Sequence, residues 1–228
     1  DLPFAYSSNG DAFYEHDFLT GQEQQIALEE FPTQEMLVAR YYAELHSGKG
    51  ISDMEKKIVS QPYYSSQSTY PPRYYQRNAV NRTVEAIARG QQRLLLVMAT
   101  GTGKTYTAFQ IVYRLLCSDL KKRILYLADR NILVDQSILQ DFAPLEKTIY
   151  KVDFSDKACL SKIASREVNF ALYHQMVGQN DEEHFKQIPA EYFDLIIVDE
   201  CHRGSAKEDS NWRKVLEYFS SATQIGMT

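Results

Sequence analysis

The sequence has few cysteines and no long hydrophobic run. Its three cysteines, Cys117, Cys159 and Cys201, form no Cys-x-x-Cys pair, so neither a disulfide framework nor a zinc knuckle is predicted. No segment reaches the roughly 18 apolar residues that cross a bilayer, and the first residues lack the basic start and apolar run of a signal peptide. We therefore expect a protein of the reducing cytoplasm without a membrane anchor.

The composition that remains is that of a soluble globular protein. Of the 228 residues, 44% are hydrophobic and 24% are charged, and this length allows one well-buried domain with an accessory element. The chain begins without an initiator methionine and ends at Thr228, directly after a run typical of a strand. We therefore expect it to be part of a longer protein.

Charge is distributed unevenly along the chain. Residues 1–62 hold 4 basic and 11 acidic side chains, residues 73–130 hold 11 and 3, and residues 131–228 hold 10 and 16. A basic segment inside an acidic protein suits a polyanion, either nucleotide phosphates or a nucleic-acid backbone. A solvated helix face would give the same pattern, so charge alone leaves both interpretations open.

Three segments differ in their pattern of residues. Residues 1–60 contain a predicted hairpin around Ser7-Ser8-Asn9-Gly10 and a helix over 34–47. Residues 61–72 are uncharged and rich in Ser, Tyr and Pro, which predicts a linker. Residues 73–228 alternate short apolar runs with longer amphipathic ones, which predicts an α/β domain with a parallel sheet. Because its strands show almost no polar alternation, helices must cover both faces.

Six strands and six helices are predicted in residues 73–228. The strands are 94–98, 124–128, 148–152, 168–173, 195–198 and 223–226. The helices are 75–88, 104–116, 132–142, 157–165, 182–187 and 212–219.

A glycine-rich loop stands between the first of these strands and a helix. In this context backbone N–H groups and the helix N-terminus bind phosphate oxygens. Gly101 and Gly103 let the backbone wrap closely, Lys104 would reach the β- and γ-phosphates, and Thr105 would ligate Mg²⁺. A turn that binds nothing would leave this Lys and Thr unexplained. The candidate phosphate-binding residues are Thr100, Gly101, Thr102, Gly103, Lys104 and Thr105.

Two adjacent carboxylates end a later apolar strand. The run 192–198 leads into Asp199 and Glu200, and ligands bind at the carboxyl ends of strands in parallel sheets. Asp199 would hold Mg²⁺ through a water, and Glu200 would orient and deprotonate the water that attacks the γ-phosphate. Without the phosphate loop, an acidic strand end that caps the next helix would be the favoured interpretation.

The segments ATGTGKT and DECH resemble motifs I and II of superfamily 2 helicases and translocases. Met98 replaces the first glycine of the generic phosphate loop, which argues against a kinase or small GTPase. The resemblance implies a RecA-like fold and an upstream glutamine that reads adenine. Gln76 stands at that place, three residues after Arg73, and both are candidate nucleotide-binding residues, although a surface glutamine at a helix start is the alternative for Gln76. His202, the last residue of DECH, would couple nucleotide state to domain movement.

Further motifs follow in the family's order. Residues 126–136 resemble motif Ia, which lies along the DNA track in the family, so Arg130 and Gln136 are candidate DNA contacts. A polar loop is the alternative interpretation of either residue. Residues 173–176 resemble the next track motif more weakly. Residues 226–228 resemble the start of motif III, which makes Thr228 a candidate coupling residue.

The combination of YYQRNAV, VMATGTGKT, LADRNILVDQ and VDECHRG most resembles the motor of the restriction subunit of type I restriction-modification enzymes. Residues 1–60 resemble the tail of that subunit's nuclease domain. The resemblance implies an ATP- and Mg²⁺-dependent translocase of double-stranded DNA, with modification and specificity subunits as partners. It places the nuclease residues upstream and a second motor domain, with an arginine finger, downstream.

Two other functions stay open from the sequence. One is a different superfamily 2 ATPase, such as a type III restriction subunit or a repair helicase. The other is a non-catalytic module that only senses ATP, although Glu200 argues against it because a sensor needs no water-activating acid.

Overall fold

The computed structural model describes residues 2–45, 52–67, 70–128, 140–178, 182–201 and 213–228. The chain divides into two compact units, residues 1–56 and residues 57–228. Within the described ranges, no helix combines the length and hydrophobicity that crossing a bilayer requires.

The first unit contains a three-stranded antiparallel sheet of β1 (Phe4–Ser8), β2 (Ala12–Asp17) and β3 (Gln22–Ala27). The predicted hairpin joins β1 to β2, where Gly10 takes a φ of +95° and the Asn9 side-chain oxygen accepts the Asp11 and Ala12 N–H groups. β3 was not predicted because its sequence, QEQQIA, has no apolar face and is mostly exposed.

Helices of the first unit follow this sheet. α1 (Gln34–Leu45) agrees with the prediction as far as the described residues extend. α2 (Asp53–Ser60), which runs across the boundary between the units, was missed. Its signal was available, since Ser52 and Glu55 form a capping box in which the Glu55 carboxylate accepts the Ser52 N–H at 2.9 Å.

The second unit is built on a six-stranded sheet in the order β4-β9-β8-β5-β7-β6, with every pair parallel. The strands are β4 (Arg93–Leu96), β5 (Ile124–Ala128), β6 (Ile149–Lys151), β7 (Val168–Leu172), β8 (Leu195–Val198) and β9 (Thr223–Met227). The structure confirms all six predicted strands to within two residues at each end.

The helices of this unit agree less uniformly with prediction. They are α3 (Tyr74–Ala88), α4 (Lys104–Cys117), α5 (Cys159–Ala164) and α6 (Tyr173–Val177). The predicted helix 182–187 is a 3₁₀ turn over His184–Gln187, and α6 begins where β7 was predicted to end. Residues 213–218 are helical as predicted, whereas most of the predicted helix 132–142 lies outside the described residues.

Successive side chains of the strands enter two separate hydrophobic cores. On β5, Ile124 and Tyr126 pack in one core with α3 and α4, whereas Leu125 and Leu127 pack in the other with α5. All five residues of β5 are buried. The prediction that helices cover both faces of the sheet is therefore confirmed.

The described residues of the predicted linker, 61–67 and 70–72, lie in the second unit, and hydrogen bonds anchor them to its helices. The Gln110 amide on α4 accepts the Tyr64 N–H at 3.0 Å and donates to the Tyr64 carbonyl at 3.1 Å. The Tyr63 hydroxyl donates to Asn81 on α3 at 2.6 Å. The division between the units falls at 56/57, before the segment that was predicted to be a linker.

A buried ionic cluster holds the first unit together. The Arg40 guanidinium donates to both Glu15 carboxylate oxygens at 2.8 Å and to Asp17 at 3.0 Å. The Tyr6 hydroxyl and the Gln24 amide also donate to Glu15, which is 2% exposed. Chiefly because of the bonds from Arg40, the pKa of Glu15 is lowered to about 2.

We expect Glu15→Gln to destabilise the first unit by about 3 kcal/mol at neutral pH. Because the folded pKa is depressed, the stabilisation is present above the unfolded pKa, near 4.5, and is lost as pH falls toward 2. The difference between variant and wild type should thus shrink below about pH 4.5. Amide hydrogen exchange of residues 4–27, corrected for the intrinsic exchange rate at each pH, measures this difference in the free energy of unfolding. The control Glu23→Gln changes an exposed carboxylate of β3 paired with His16, and an equal effect there would contradict the prediction.

Candidate nucleotide site

The glycine-rich loop connects β4 to α4 at the carboxyl edge of the sheet. Gly101 and Gly103 have φ angles of +77° and +82°, a conformation that other residues rarely adopt. Gly103 is the last residue before α4. The backbone conformation therefore favours glycine, and a Cβ atom there would lie 2.5 Å from the Gln76 side-chain nitrogen, so the Gln76 amide would have to move.

Gln76 joins this loop to the start of α3. Its Nε2 donates to the Thr102 carbonyl at 2.8 Å, and its Oε1 accepts the Arg73 N–H at 2.9 Å. The side chain is 7% exposed, so the alternative of a surface glutamine is wrong. Gln76 thus ties the loop to the segment that carries Arg73.

A cavity of about 670 Å³ opens beside the loop. Its walls combine aromatic rings with an amide and charged groups, a lining that is usual in sites for small molecules. The Tyr106 hydroxyl donates to the Tyr70 carbonyl at 3.0 Å and so fixes one wall. The lining includes Tyr70, Arg73, Gln76, Tyr106, Phe109 and Asp141.

The predicted carboxylates lie at the same edge, directly after β8. The Lys104 Nζ is 3.1 Å from the Glu200 Oε1, and both side chains are partly buried, with 15% and 25% of their surfaces exposed. These two residues are distant in sequence, and the parallel pairing of β4, β9 and β8 brings them together. The structure therefore unites the predicted phosphate-binding lysine with the predicted water-activating acid.

Asp199 occupies a partly buried position beside this pair. Burial raises the pKa of its carboxyl, as does the neighbouring Glu200 charge, while hydrogen bonds from the Tyr126 hydroxyl and the Glu200 N–H oppose the shift. A divalent cation would offset the unfavourable burial of this carboxylate. Carboxylate and hydroxyl oxygens are ligands that Mg²⁺ prefers, so Asp199 and Thr105 fit that ion.

Backbone geometry at Glu200 is unusual. Its φ is +51°, in the left-handed region that a non-glycine residue occupies only when its surroundings enforce it. On one side the Asp199 N–H donates to the Leu127 carbonyl, and on the other the Cys201 N–H donates to the Met227 carbonyl, both at 2.9 Å. The two neighbouring strands therefore hold this strained turn in place.

Thr228 continues β9 beside the start of the phosphate loop. Its N–H donates to the Leu96 carbonyl at 3.0 Å, and its carbonyl accepts the Met98 N–H at 2.8 Å. The predicted residues Arg130, Gln136 and His202 lie outside the described residues.

Sequence reasoning missed the tyrosines of this site. Tyr126 and Tyr173 both donate hydrogen bonds to Asp199, and Tyr70 and Tyr106 line the cavity. The available signal for the first two was a tyrosine within or directly after an otherwise apolar strand, Tyr126 in β5 and Tyr173 after β7.

Comparisons with known proteins agree on one family. Residues 69–228 match the family described as type III restriction enzyme, res subunit (ResIII). The EcoAI type I restriction enzyme endonuclease subunit of Escherichia coli is 48% identical over this whole chain, which spans 28% of that protein.

Solved structures give the same grouping. A fragment assigned to the HsdR subunit of a type I restriction enzyme from Vibrio vulnificus YJ016 superposes with a TM-score of 0.71 and 38% identity, covering 100% of this chain and 37% of its own. The UvsW helicase of bacteriophage T4 has a TM-score of 0.53 at 19% identity, covering 77% and 58%, which supports the fold alone. The predicted RecA-like fold is confirmed. The chain belongs to the ResIII helicase-like family and is homologous to the endonuclease subunits of type I restriction enzymes.

Proposed function

We propose that residues 57–228 bind and hydrolyse ATP as the first RecA-like domain of a motor that translocates double-stranded DNA in a type I restriction enzyme. The observation that carries the proposal is the 3.1 Å contact between Lys104 and Glu200. It brings a phosphate-binding cation and a carboxylate able to activate water to one sheet edge.

The division of labour follows from the chemistry of these side chains. Lys104 exchanges Glu200 for the β- and γ-phosphates when ATP binds, while the loop N–H groups contact phosphate oxygens. Glu200, released from Lys104, accepts the proton of the attacking water as the bond from the γ-phosphorus to ADP breaks. Mg²⁺, held by Thr105 and Asp199, would neutralise phosphate charge when bound.

The cavity beside Gln76 is the proposed adenine site. Gln76 presents an amide, Arg73 a guanidinium and Tyr106 an aromatic ring, so the base can be both stacked and hydrogen bonded. Because Gln76 also bonds the Thr102 carbonyl, occupation of the base site acts directly on the phosphate loop.

The type I assignment is favoured over a type III subunit or a repair helicase by the extent of similarity. The EcoAI relative aligns with the whole chain, including residues 1–68, which the ResIII match does not reach. We propose that residues 1–60 are the tail of a nuclease domain and that the modification and specificity subunits are partners. Arg130 and Gln136 remain proposed DNA contacts, and His202 and Thr228 proposed coupling residues.

Replacement of Lys104 by Ala should abolish ATP-driven translocation by the intact subunit, because it removes the positive charge that the phosphate loop presents to the transferred phosphate at the start of α4. We expect at least a 100-fold loss, measured by displacement of a triplex-forming oligonucleotide from DNA. Lys122→Ala, which removes an exposed lysine paired with Asp119, is the matched control. Unimpaired translocation by the Lys104 variant would contradict the mechanism.

Glu200→Gln should separate binding from hydrolysis. The amide keeps the shape of the side chain but cannot accept a proton, so single-turnover hydrolysis should slow by about 10²- to 10⁴-fold. Binding of a fluorescent ATP analogue should stay within about threefold of wild type, because the amide leaves the phosphate loop intact. A wild-type subunit that binds ATP without turning it over would instead support the ATP-sensing module.

Gln76→Ala tests the base site. Loss of the amide should raise the KM for ATP about tenfold and leave the KM for GTP nearly unchanged, which reduces discrimination between the two. Gln91→Ala, an exposed glutamine that bonds only its local backbone in the described contacts, serves as the control. Equal losses with ATP and GTP would mean that Gln76 supports the loop without reading the base.

A further inference from the structure

Two tyrosine hydroxyls donate hydrogen bonds to Asp199, one from β5 and one from the first residue of α6, directly after β7. The Tyr126 hydroxyl on β5 donates to the Asp199 carboxylate Oδ2 at 3.2 Å. The hydroxyl of Tyr173, the first residue of α6, donates to the Asp199 main-chain carbonyl at 3.2 Å. We propose that Tyr126 and Tyr173 are positioning residues that fix Asp199 and Glu200 for the bound metal and nucleotide, an inference that rests on the proposed function.

Tyr126 is built into the sheet as a rigid support. Its side chain is fully buried, with its ring centroid 4.9 Å from that of Phe170 and 5.8 Å from that of Phe142. β5 pairs with β8 so that Tyr126 lies opposite Ile197, two residues before Asp199. With the ring held by its neighbours, the hydroxyl has a fixed position at the carboxylate.

Packing alone does not account for the hydroxyl group of Tyr126. A phenylalanine ring would fill the same space, and burial of a polar hydroxyl without a partner is unfavourable. Its use is the bond to Oδ2, while the Glu200 N–H donates to Oδ1 at 3.0 Å. Among the described residues, each carboxylate oxygen has one donor and keeps further lone pairs for a cation or a water, which is the arrangement that orients metal ligands.

Tyr173 acts on the other acid. The carbonyl that it bonds belongs to the peptide between Asp199 and Glu200, and that peptide leads into the left-handed turn at Glu200. Holding this carbonyl fixes the direction in which the Glu200 side chain leaves the backbone. Tyr126 thus fixes the orientation of Asp199, the proposed metal ligand. Tyr173 fixes the orientation of Glu200, which must accept a proton from water.

The test uses the intact subunit with single Tyr→Phe replacements, which keep the rings. Binding of a fluorescent ATP analogue is titrated with Mg²⁺, starting in a metal chelator. For Tyr126→Phe we expect the Mg²⁺ concentration at half-maximal binding to rise about tenfold, with nucleotide affinity in chelator unchanged. For Tyr173→Phe we expect single-turnover hydrolysis at saturating Mg²⁺ to slow about tenfold, with the Mg²⁺ midpoint within about twofold of wild type.

Tyr192→Phe is the matched control, because its hydroxyl donates to the Ile163 carbonyl at 3.0 Å, away from Asp199. It should change neither quantity. A wild-type subunit without Mg²⁺-dependent nucleotide binding overturns the proposed function itself. If wild type responds to Mg²⁺ but Tyr126→Phe has the same midpoint and Tyr173→Phe the same rate, the function stands and the positioning role is overturned. Equal changes in all three variants would also overturn it, because they would reflect a general loss of stability.

Discussion

The parallel pairing of β4, β9 and β8 is the constraint on which the candidate site depends. All strands of a parallel sheet present their carboxyl ends at one edge, so loops far apart in sequence meet there. Lys104 and Glu200 come within 3.1 Å for this reason alone. The buried strands supply the rigidity, since β5 and β8 have no exposed residue and pack between two hydrophobic cores.

Strain and burial are concentrated where chemistry is proposed. Glu200 and Gly103 have left-handed backbone conformations, and Asp199 is a carboxylate whose pKa burial raises. Each feature would be unfavourable in an ordinary turn. They persist because the strands on either side bond the backbone of this segment, so the stability of the sheet offsets the local strain.

Much of the fold and of the candidate site could be predicted from the sequence, and the features that were missed have physical explanations. The strands were found because unbroken apolar runs leave little choice in a parallel sheet, and Lys104, Thr105, Asp199 and Glu200 were predicted as site residues because each comes soon after one of those strands. β3 was missed because its residues are polar and exposed. The linker prediction for residues 61–72 was drawn from composition, which does not reveal that Gln110 binds the Tyr64 backbone on both sides.

The sequence by itself determined the order of the strands along the chain, the glycine loop and the acidic pair, because these are local patterns. Only the tertiary structure decided which strand lies beside which, and hence that Lys104 contacts Glu200 and that Gln76 bonds the loop it precedes by 26 residues. The tertiary structure also decided that Tyr126 and Tyr173 donate hydrogen bonds to Asp199. In the sequence they are simply aromatic residues in or beside apolar runs. Contacts across a sheet depend on register and strand order, and neither is encoded in any short stretch of residues.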